Sequence, residues 1–350
     1  MIFSLNDEEQ KKIISLFAQH ERNLDYLLYL QSIIWQKPYQ TNNSETLDDP
    51  YKKRDFLFDC LEKDYPYPND YVKKNIKWDT KLLRLSDYLN NPYLEKLKNL
   101  SLSKDDWSLS KKRITAYSLF PYEDEYHYGV NYNLKMSLAF FDRDYFYPSI
   151  SLYKNEWMSL NPYEIRTMEI PIALAKGKVL TLGLGLGYFA YMAHLKDEVK
   201  EVHIVEMDKS LIEVFNEYFL PLFPHPEKIH IHKADAFCFI RDINDRDYDY
   251  IFSDLWHDVS DGLPMYLKLK EKFNEFKFTR CVYWIEGAIM TYLRTLVIGV
   301  MKDEFQQTSS DYNLLQLHIK ESLKSVNINS SSDIDALLCL KGLNRLFFKE

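Results

Sequence analysis

From Lys178 onward, short apolar runs alternate with amphipathic stretches. Val179-Leu180-Thr181-Leu182, Val202-His203-Ile204-Val205, Ile229-His230-Ile231, Tyr248-Asp249-Tyr250-Ile251-Phe252 and Cys281-Val282-Tyr283-Trp284-Ile285 have the length and the β-branched or aromatic content of buried strands. Between the first two, Tyr188 to Leu195 suits a helix. After the second, Leu211, Ile212, Phe215, Tyr218 and Phe219 fall on one helical face, with Asp208 placed as N-cap and Pro221 and Pro224 as the stop. Strands alternating with helices predict an α/β unit whose mostly parallel sheet is covered on both faces.

The rest of the chain has a different rhythm. Residues 8 to 36 place Ile13, Phe17, Leu24, Leu27, Leu28 and Ile34 near a 3.6-residue period, which predicts one or two amphipathic helices ending before Lys37-Pro38. Leucine-bearing charged segments continue to about residue 112, broken by turn clusters such as Pro66-Tyr67-Pro68-Asn69-Asp70 and Asn90-Asn91-Pro92. Strand formers then dominate around Ile114 to Tyr117, Met136 to Phe141 and Ser149 to Tyr153. The pattern divides the chain into a helical N-terminal region (1–112), a small β-rich segment (113–168), the α/β domain (169–310) and C-terminal helices (311–350). A polar break is expected at Ser330-Ser331-Ser332. No chemistry attaches to residues 1–112 at this level, where Tyr65, Tyr67 and Tyr71 read as packing or surface residues.

Composition narrows the function classes. Hydrophobic residues make up 46% of the 350 and charged residues 27%, as in a globular chain with a sizeable core. The net charge of -8 weighs against sequence-independent nucleic-acid binding, which is driven by neutralising phosphates with Lys and Arg. Cys60, Cys238, Cys281 and Cys339 are widely spaced, the pattern of reduced thiols rather than of a disulfide framework or a zinc site. Neither a signal peptide nor a membrane span is visible, so a cytoplasmic protein is expected. His230-x-His232 lies on one predicted strand without a partner cluster in the sequence and reads as structural, so no metal is expected. Aromatic residues reach 15%, an excess to which the sequence attaches no role.

Glycine is scarce, with nine residues against an average of about 7%, yet Gly183, Gly185 and Gly187 stand together between the first strand and the first helix of the α/β unit. Glycine there permits positive φ and leaves no Cβ to collide with a ligand across the strand ends. Glu206 closes the second strand, where an acid can accept hydrogen bonds from both hydroxyls of a ribose. Asp235-Ala236 follows the third strand and can meet an adenine edge, while Asp254 ends the fourth and points into the same crevice. A dinucleotide turn needs its third glycine one residue later, at the position of Tyr188.

The spacing resembles the Rossmann-like S-adenosylmethionine-dependent methyltransferase superfamily over roughly residues 170 to 290. The run from Lys178 to Gly183, Val205-Glu206-Met207-Asp208, Asp235-Ala236 and Asp254 is most similar to the spermidine synthase-like branch. The resemblance implies S-adenosylmethionine as cofactor. Gly183, Gly185 and Gly187 would pass beside its methionine moiety, Glu206 would hold the ribose, Met207 would pack on the adenine, and Asp235 with Ala236 would contact its edge. Two features depart from the pattern. Thr181 stands where methyltransferases carry an acid, and Leu184 and Leu186 stand where spermidine synthases have a richer loop with an acid inside it.

Asp254-Leu255-Trp256-His257-Asp258 occupies the position of acceptor-binding residues. Asp254 could orient or deprotonate an amine, His257 could act as base, and Trp256, Asp258 and Glu286 could line the acceptor. Asn161-Pro162-Tyr163 partly resembles the Asn-Pro-Pro-Tyr loop of amino-methylating DNA enzymes, but it lacks one proline, precedes the glycines and reads as a helix cap. These features predict an S-adenosylmethionine-dependent methyltransferase acting on a small-molecule acceptor, with no nucleic-acid or membrane partner and room for a homo-oligomer. A spermidine synthase-like aminopropyltransferase and a non-catalytic nucleoside-binding scaffold or sensor are the alternatives.

Overall fold

The computed structural model describes residues 1–36, 49–64, 80–123, 126–128, 133–135, 137–308 and 310–348. The expected helix stop at Lys37-Pro38, the turn at 66–70 and Tyr65, Tyr67 and Tyr71 lie outside these residues. The first long helix, α1 (Asp7–Gln36), is continuous and buries Ile13, Leu16 and Phe17 along one stripe. It is followed by α2 (Pro50–Asp64) and by two short helices, Leu85–Leu89 and Pro92–Leu97. The second begins where Asn91 accepts the Tyr93 and Leu94 amides, with Pro92 at the first helical position.

A four-stranded antiparallel sheet comes next, built from β1 (Ser103–Lys104), β2 (Trp107–Ile114), β3 (Tyr145–Leu152) and β4 (Asn155–Ser159) in the order β4-β3-β2-β1. Asn161 then caps α3 (Pro162–Leu174), its side chain accepting the Glu164 amide at 3.0 Å. Trp284 Nε1 donates to Thr167 Oγ1 at 2.9 Å and Tyr250 OH to the Pro171 carbonyl at 2.9 Å, so α3 is tied to the end and the middle of the neighbouring sheet.

That neighbouring sheet is the centre of the molecule. Its strands are β5 (Gly177–Leu182), β6 (Val199–Glu206), β7 (Ile229–Lys233), β8 (Tyr250–Ser253) and β9 (Arg280–Tyr283). All pair in parallel in the order β7-β6-β5-β8-β9, with helices α4 (Tyr188–His194), α5 (Lys209–Val214), α6 (Ala236–Phe239) and α7 (Val259–Phe273) between them. This is the α/β, Rossmann-like arrangement read from the sequence. The apolar residues of β5 are buried because a strand with neighbours on both edges and helices on both faces has no solvent side. The chain runs outward from β5 to β6 and β7, then returns to the other side for β8 and β9. The switch point between β5 and β8 therefore opens a crevice at their carboxyl ends.

Aromatic side chains fill much of the interior. Phe189 stacks on Phe252 with ring centroids 4.3 Å apart, and Tyr93, Tyr191 and Phe223 pack in series at 4.5 and 5.0 Å. The aromatic excess is thus largely a packing device.

After β9 come α8 (Glu286–Gln306), α9 (Leu314–Leu323), α10 (Ser331–Leu338) and α11 (Leu340–Phe347). The serine run is a helix start rather than a break, because Ser330 forms a capping box with Asp333, while Ser331 donates from its amide and hydroxyl to Glu9 on α1. Ile2–Phe3 pairs in parallel with Asn327–Ile328, which joins the two ends of the chain. No helix among the described residues is long and apolar enough to cross a membrane.

Candidate functional site

The loop after β5 is set by backbone geometry. Gly183 has φ +98°, and a Cβ there would lie 2.0 Å from the Asp254 carbonyl oxygen, so only glycine lets the loop cross the end of β8. At Gly185, with φ +51°, a Cβ would meet Met158 Sδ at 2.7 Å. Gly187 supplies the left-handed N-cap residue of α4. The Leu182 carbonyl accepts the Asp254 amide at 2.9 Å, and Thr181 Oγ1 donates to the Gly183 carbonyl at 3.2 Å. Thr181 therefore serves the loop itself, at the position where an acid would have faced a ligand.

Glu206 ends β6 beside this loop. Its Oε1 accepts the amides of Met207 and Asp208, each at 2.8 Å, and Oε2 accepts the Leu184 amide at 3.3 Å. Three backbone donors fix the carboxylate across the strand ends and leave one lone-pair site, on Oε2, to accept from a ribose hydroxyl. Met207 is 67% exposed and free to lie on a ring. Asp235 caps α6 by accepting the Cys238 amide at 2.8 Å, and Ala236 is buried behind it.

Asp254 faces the crevice with Met158, Thr181, Gly183, Leu184 and Leu186, around a cavity of about 10 Å³. Burial among these groups pushes its carboxyl up to about 7 from an ordinary value of 3.8. His257 is 71% exposed, with Nδ1 3.2 Å from Asp261 Oδ2 and its ring edge-on to that of Trp157 at 5.9 Å. Asp261 also accepts the His257 amide through both oxygens, which holds the histidine in one place.

The other three predicted acceptor residues are engaged elsewhere. Trp256 is 5% exposed and lies flat on Gly262 of α7, where a Cβ would come within 2.8 Å of the indole, so it wedges the loop against the helix rather than walling a pocket. Asp258 is the N-cap of α7, accepting the Ser260 and Asp261 amides, and its hydrogen bond to Ser260 holds its carboxyl below the usual range. Glu286 opens α8 and accepts from Tyr266 OH at 2.8 Å and Lys270 Nζ at 3.1 Å on α7.

Four contributors escaped sequence reasoning. Met158, on β4, lays its sulfur over the glycine loop and accepts the Leu186 amide at 3.2 Å. Tyr93 donates its hydroxyl to the Leu186 carbonyl, and Asn91 donates to Tyr188 OH at 2.8 Å, so the N-terminal region buttresses the loop from outside. Asp261 was hidden behind its own role in the capping box of α7. Each acts on residues far away in sequence or doubles as a helix cap. Only the Asn91-Pro92 cap and the Asp258-x-x-Asp261 spacing left any trace in the sequence.

The family description "Spermine/spermidine synthase domain" matches residues 166–276, the segment from α3 through β8 into the loop after α7. A polyamine aminopropyltransferase of Streptococcus uberis is 33% identical over 97 residues, covering 26% of this chain and 33% of its own length. One from Streptococcus pneumoniae is 35% identical over the same shares. The match spans about a third of the length of these curated relatives. Among solved structures, spermidine synthase from Thermotoga maritima aligns with a TM-score of 0.31 at 15% identity, over 42% of this chain and 55% of the other. The C-terminal domain of precorrin-6Y C5,15-methyltransferase from Rhodobacter capsulatus aligns at 0.29 and 15%, over 39% and 71%.

The α/β unit thus has a Rossmann-like arrangement and, over residues 166–276, is similar to the spermine/spermidine synthase domain. The expectation of methyl transfer is corrected. The match to the spermine/spermidine synthase domain and the curated relatives named polyamine aminopropyltransferase favour the aminopropyltransferase alternative. A glycine loop followed by a strand-end acid suits either reaction, so those residues alone do not separate them.

Proposed function

We propose that this chain transfers an aminopropyl group from decarboxylated S-adenosylmethionine to the amine of a small, polyamine-type acceptor. The observation that carries the reading is Asp254, a carboxyl at the switch point beside the glycine loop whose acidity burial moves to about 7. An alkylamine reaches the site as an ammonium ion and becomes a nucleophile only on losing a proton. A carboxylate is ordinarily too weak a base for this, and one poised near neutrality is matched to the task.

In the reaction, the amine nitrogen attacks the carbon next to the sulfonium. The carbon–sulfur pair returns to sulfur, a neutral thioether nucleoside departs, and the proton released from nitrogen passes to Asp254. Glu206 accepts from a ribose hydroxyl, Met207 covers the adenine, and Asp235 with Ala236 meets its edge. His257, oriented by Asp261, relays the proton outward, and Trp157 flanks an incoming cationic chain. Met158 has to swing off Gly185 for the sulfonium side of the substrate to enter. Methionine has the rotatable bonds to do so.

Calorimetry with S-adenosylmethionine, its decarboxylated form and methylthioadenosine tests the reading. The decarboxylated form is expected to bind more tightly than S-adenosylmethionine, and Glu206→Ala to remove binding of both. Indifference to the carboxyl group, or unchanged affinity in Glu206→Ala, counts against it.

A further inference from the structure

The sheet brings together on one face what the sequence keeps apart. In the β6–β7 register His203 lies opposite His230, and Glu201 and His232 sit two residues away on the same side of their strands. One ligand atom each from Glu201, His203 and His230 lies within 4.8 Å of the other two. His203 Nε2 is 3.4 Å and His230 Nε2 3.6 Å from the same oxygen, Glu201 Oε2. A tetrahedral zinc ion with ligands at about 2.0–2.1 Å sets those ligands about 3.4 Å apart.

His232 completes the arrangement from behind. Its Nε2 is 2.8 Å from His203 Nδ1, the two rings being stacked 9° from parallel. In the tautomer whose Nδ1 donates to His232, the lone pair of His203 Nε2 faces Glu201, as ligation requires. A second-shell partner on the far nitrogen is what orients a ligating histidine. Lys178, 3.4 Å from Glu201, competes for the carboxylate and also lies over the Tyr248 ring. His230 is 44% exposed, which leaves the fourth position to water.

We propose that Glu201, His203 and His230 form a binding site for a divalent transition-metal cation, zinc in the first instance, with His232 as a positioning residue. Glu201 is five residues upstream of Glu206, about 16 Å along the strand, so the site is separate from the crevice. It clamps the edge strand β7, whose far end carries Asp235, to β6. The inference does not depend on the proposed transfer reaction.

The test is zinc titration of the chelator-stripped, untagged full chain by calorimetry and by competition with a chromophoric chelator, repeated with cobalt for the absorption bands of a tetrahedral nitrogen–oxygen site. One equivalent is expected. His230→Ala, on an exposed side chain, and Glu201→Gln should each weaken binding about 100-fold, and His232→Ala about 10-fold. His225→Ala, on a histidine paired with Glu227 outside the cluster, should leave affinity unchanged. Failure to bind zinc, or binding that survives both His230→Ala and Glu201→Gln, overturns the proposal.

Discussion

The two ends of β6 were built by different means. At its carboxyl end, Glu206 meets a loop whose shape is dictated by glycine backbone angles, with a few neighbouring residues supplying the contacts. Toward its start, Glu201 and His203 meet His230 and His232, and the cluster exists only because one strand pairs with the next in a particular register. The first kind of site is local and leaves a spacing in the sequence. The second is made by sheet pairing, and a shift of one residue would turn the two histidines of β7 to the opposite face.

The largest expected effect falls at the crevice. Asp254→Asn removes the base and should lower turnover by about 10²- to 10⁴-fold while substrate binding persists. The same change should stabilise the protein. With its pKa raised to about 7, the folded state keeps a proton that the unfolded chain releases near 4. The cost of Asp254 is therefore absent below about pH 4, grows between about 4 and 7, and is full above that, at roughly 2–4 kcal/mol. Chemical denaturation of both proteins at pH 4 and pH 8 should show the variant gaining only at pH 8, and the wild-type rate should rise with pH through about 7. A flat rate profile with no gain in stability would place Asp254 outside the chemistry.

Gly183→Ala comes next, forcing a Cβ against the Asp254 carbonyl at a positive φ. A loss of about 3 kcal/mol in urea unfolding is expected, with nucleoside binding impaired. At the other end of β6, saturating zinc at about 100 times its dissociation constant should add about 2.7 kcal/mol, and His230→Ala should abolish the gain. Met158→Ala should cost about 1–2 kcal/mol as the loop loses its sulfur contact, yet bind the nucleoside a few-fold more tightly because the space is already open. The smallest effect is expected at His257, where alanine should slow turnover by about 10-fold and leave stability within about 0.5 kcal/mol, since the ring is exposed. If Met158→Ala bound no better than wild type, the loop would be open already and the thioether would be packing alone.

The parallel sheet was legible because each of its strands is an apolar run ended by a turn or a cap, from Val179 to Ile285. Glu206, Asp235 and Asp254 were legible because parallel strands put their ends on one side. Trp256 and Asp258, read as lining an acceptor, wedge and cap the next helix, because a residue next to the crevice carboxyl of Asp254 can do either and sequence adjacency does not say which. Tyr93, Asn91 and Met158 were illegible because they reach the loop from the N-terminal helices and the antiparallel sheet, through contacts that no local pattern encodes. The histidines were read as structural for a related reason. His230-x-His232 has no partner until β6 lies beside it.

Which group moves can be read directly. Incubating the chain with decarboxylated S-adenosylmethionine labelled in its aminopropyl carbons and with 1,4-diaminobutane, followed by mass spectrometry, reads that group directly. The label is expected on the diamine as an added aminopropyl unit, in equal yield with methylthioadenosine, and both products should disappear in Asp254→Asn. Label retained on the nucleoside across a panel of amine acceptors, despite binding, would contradict the assignment.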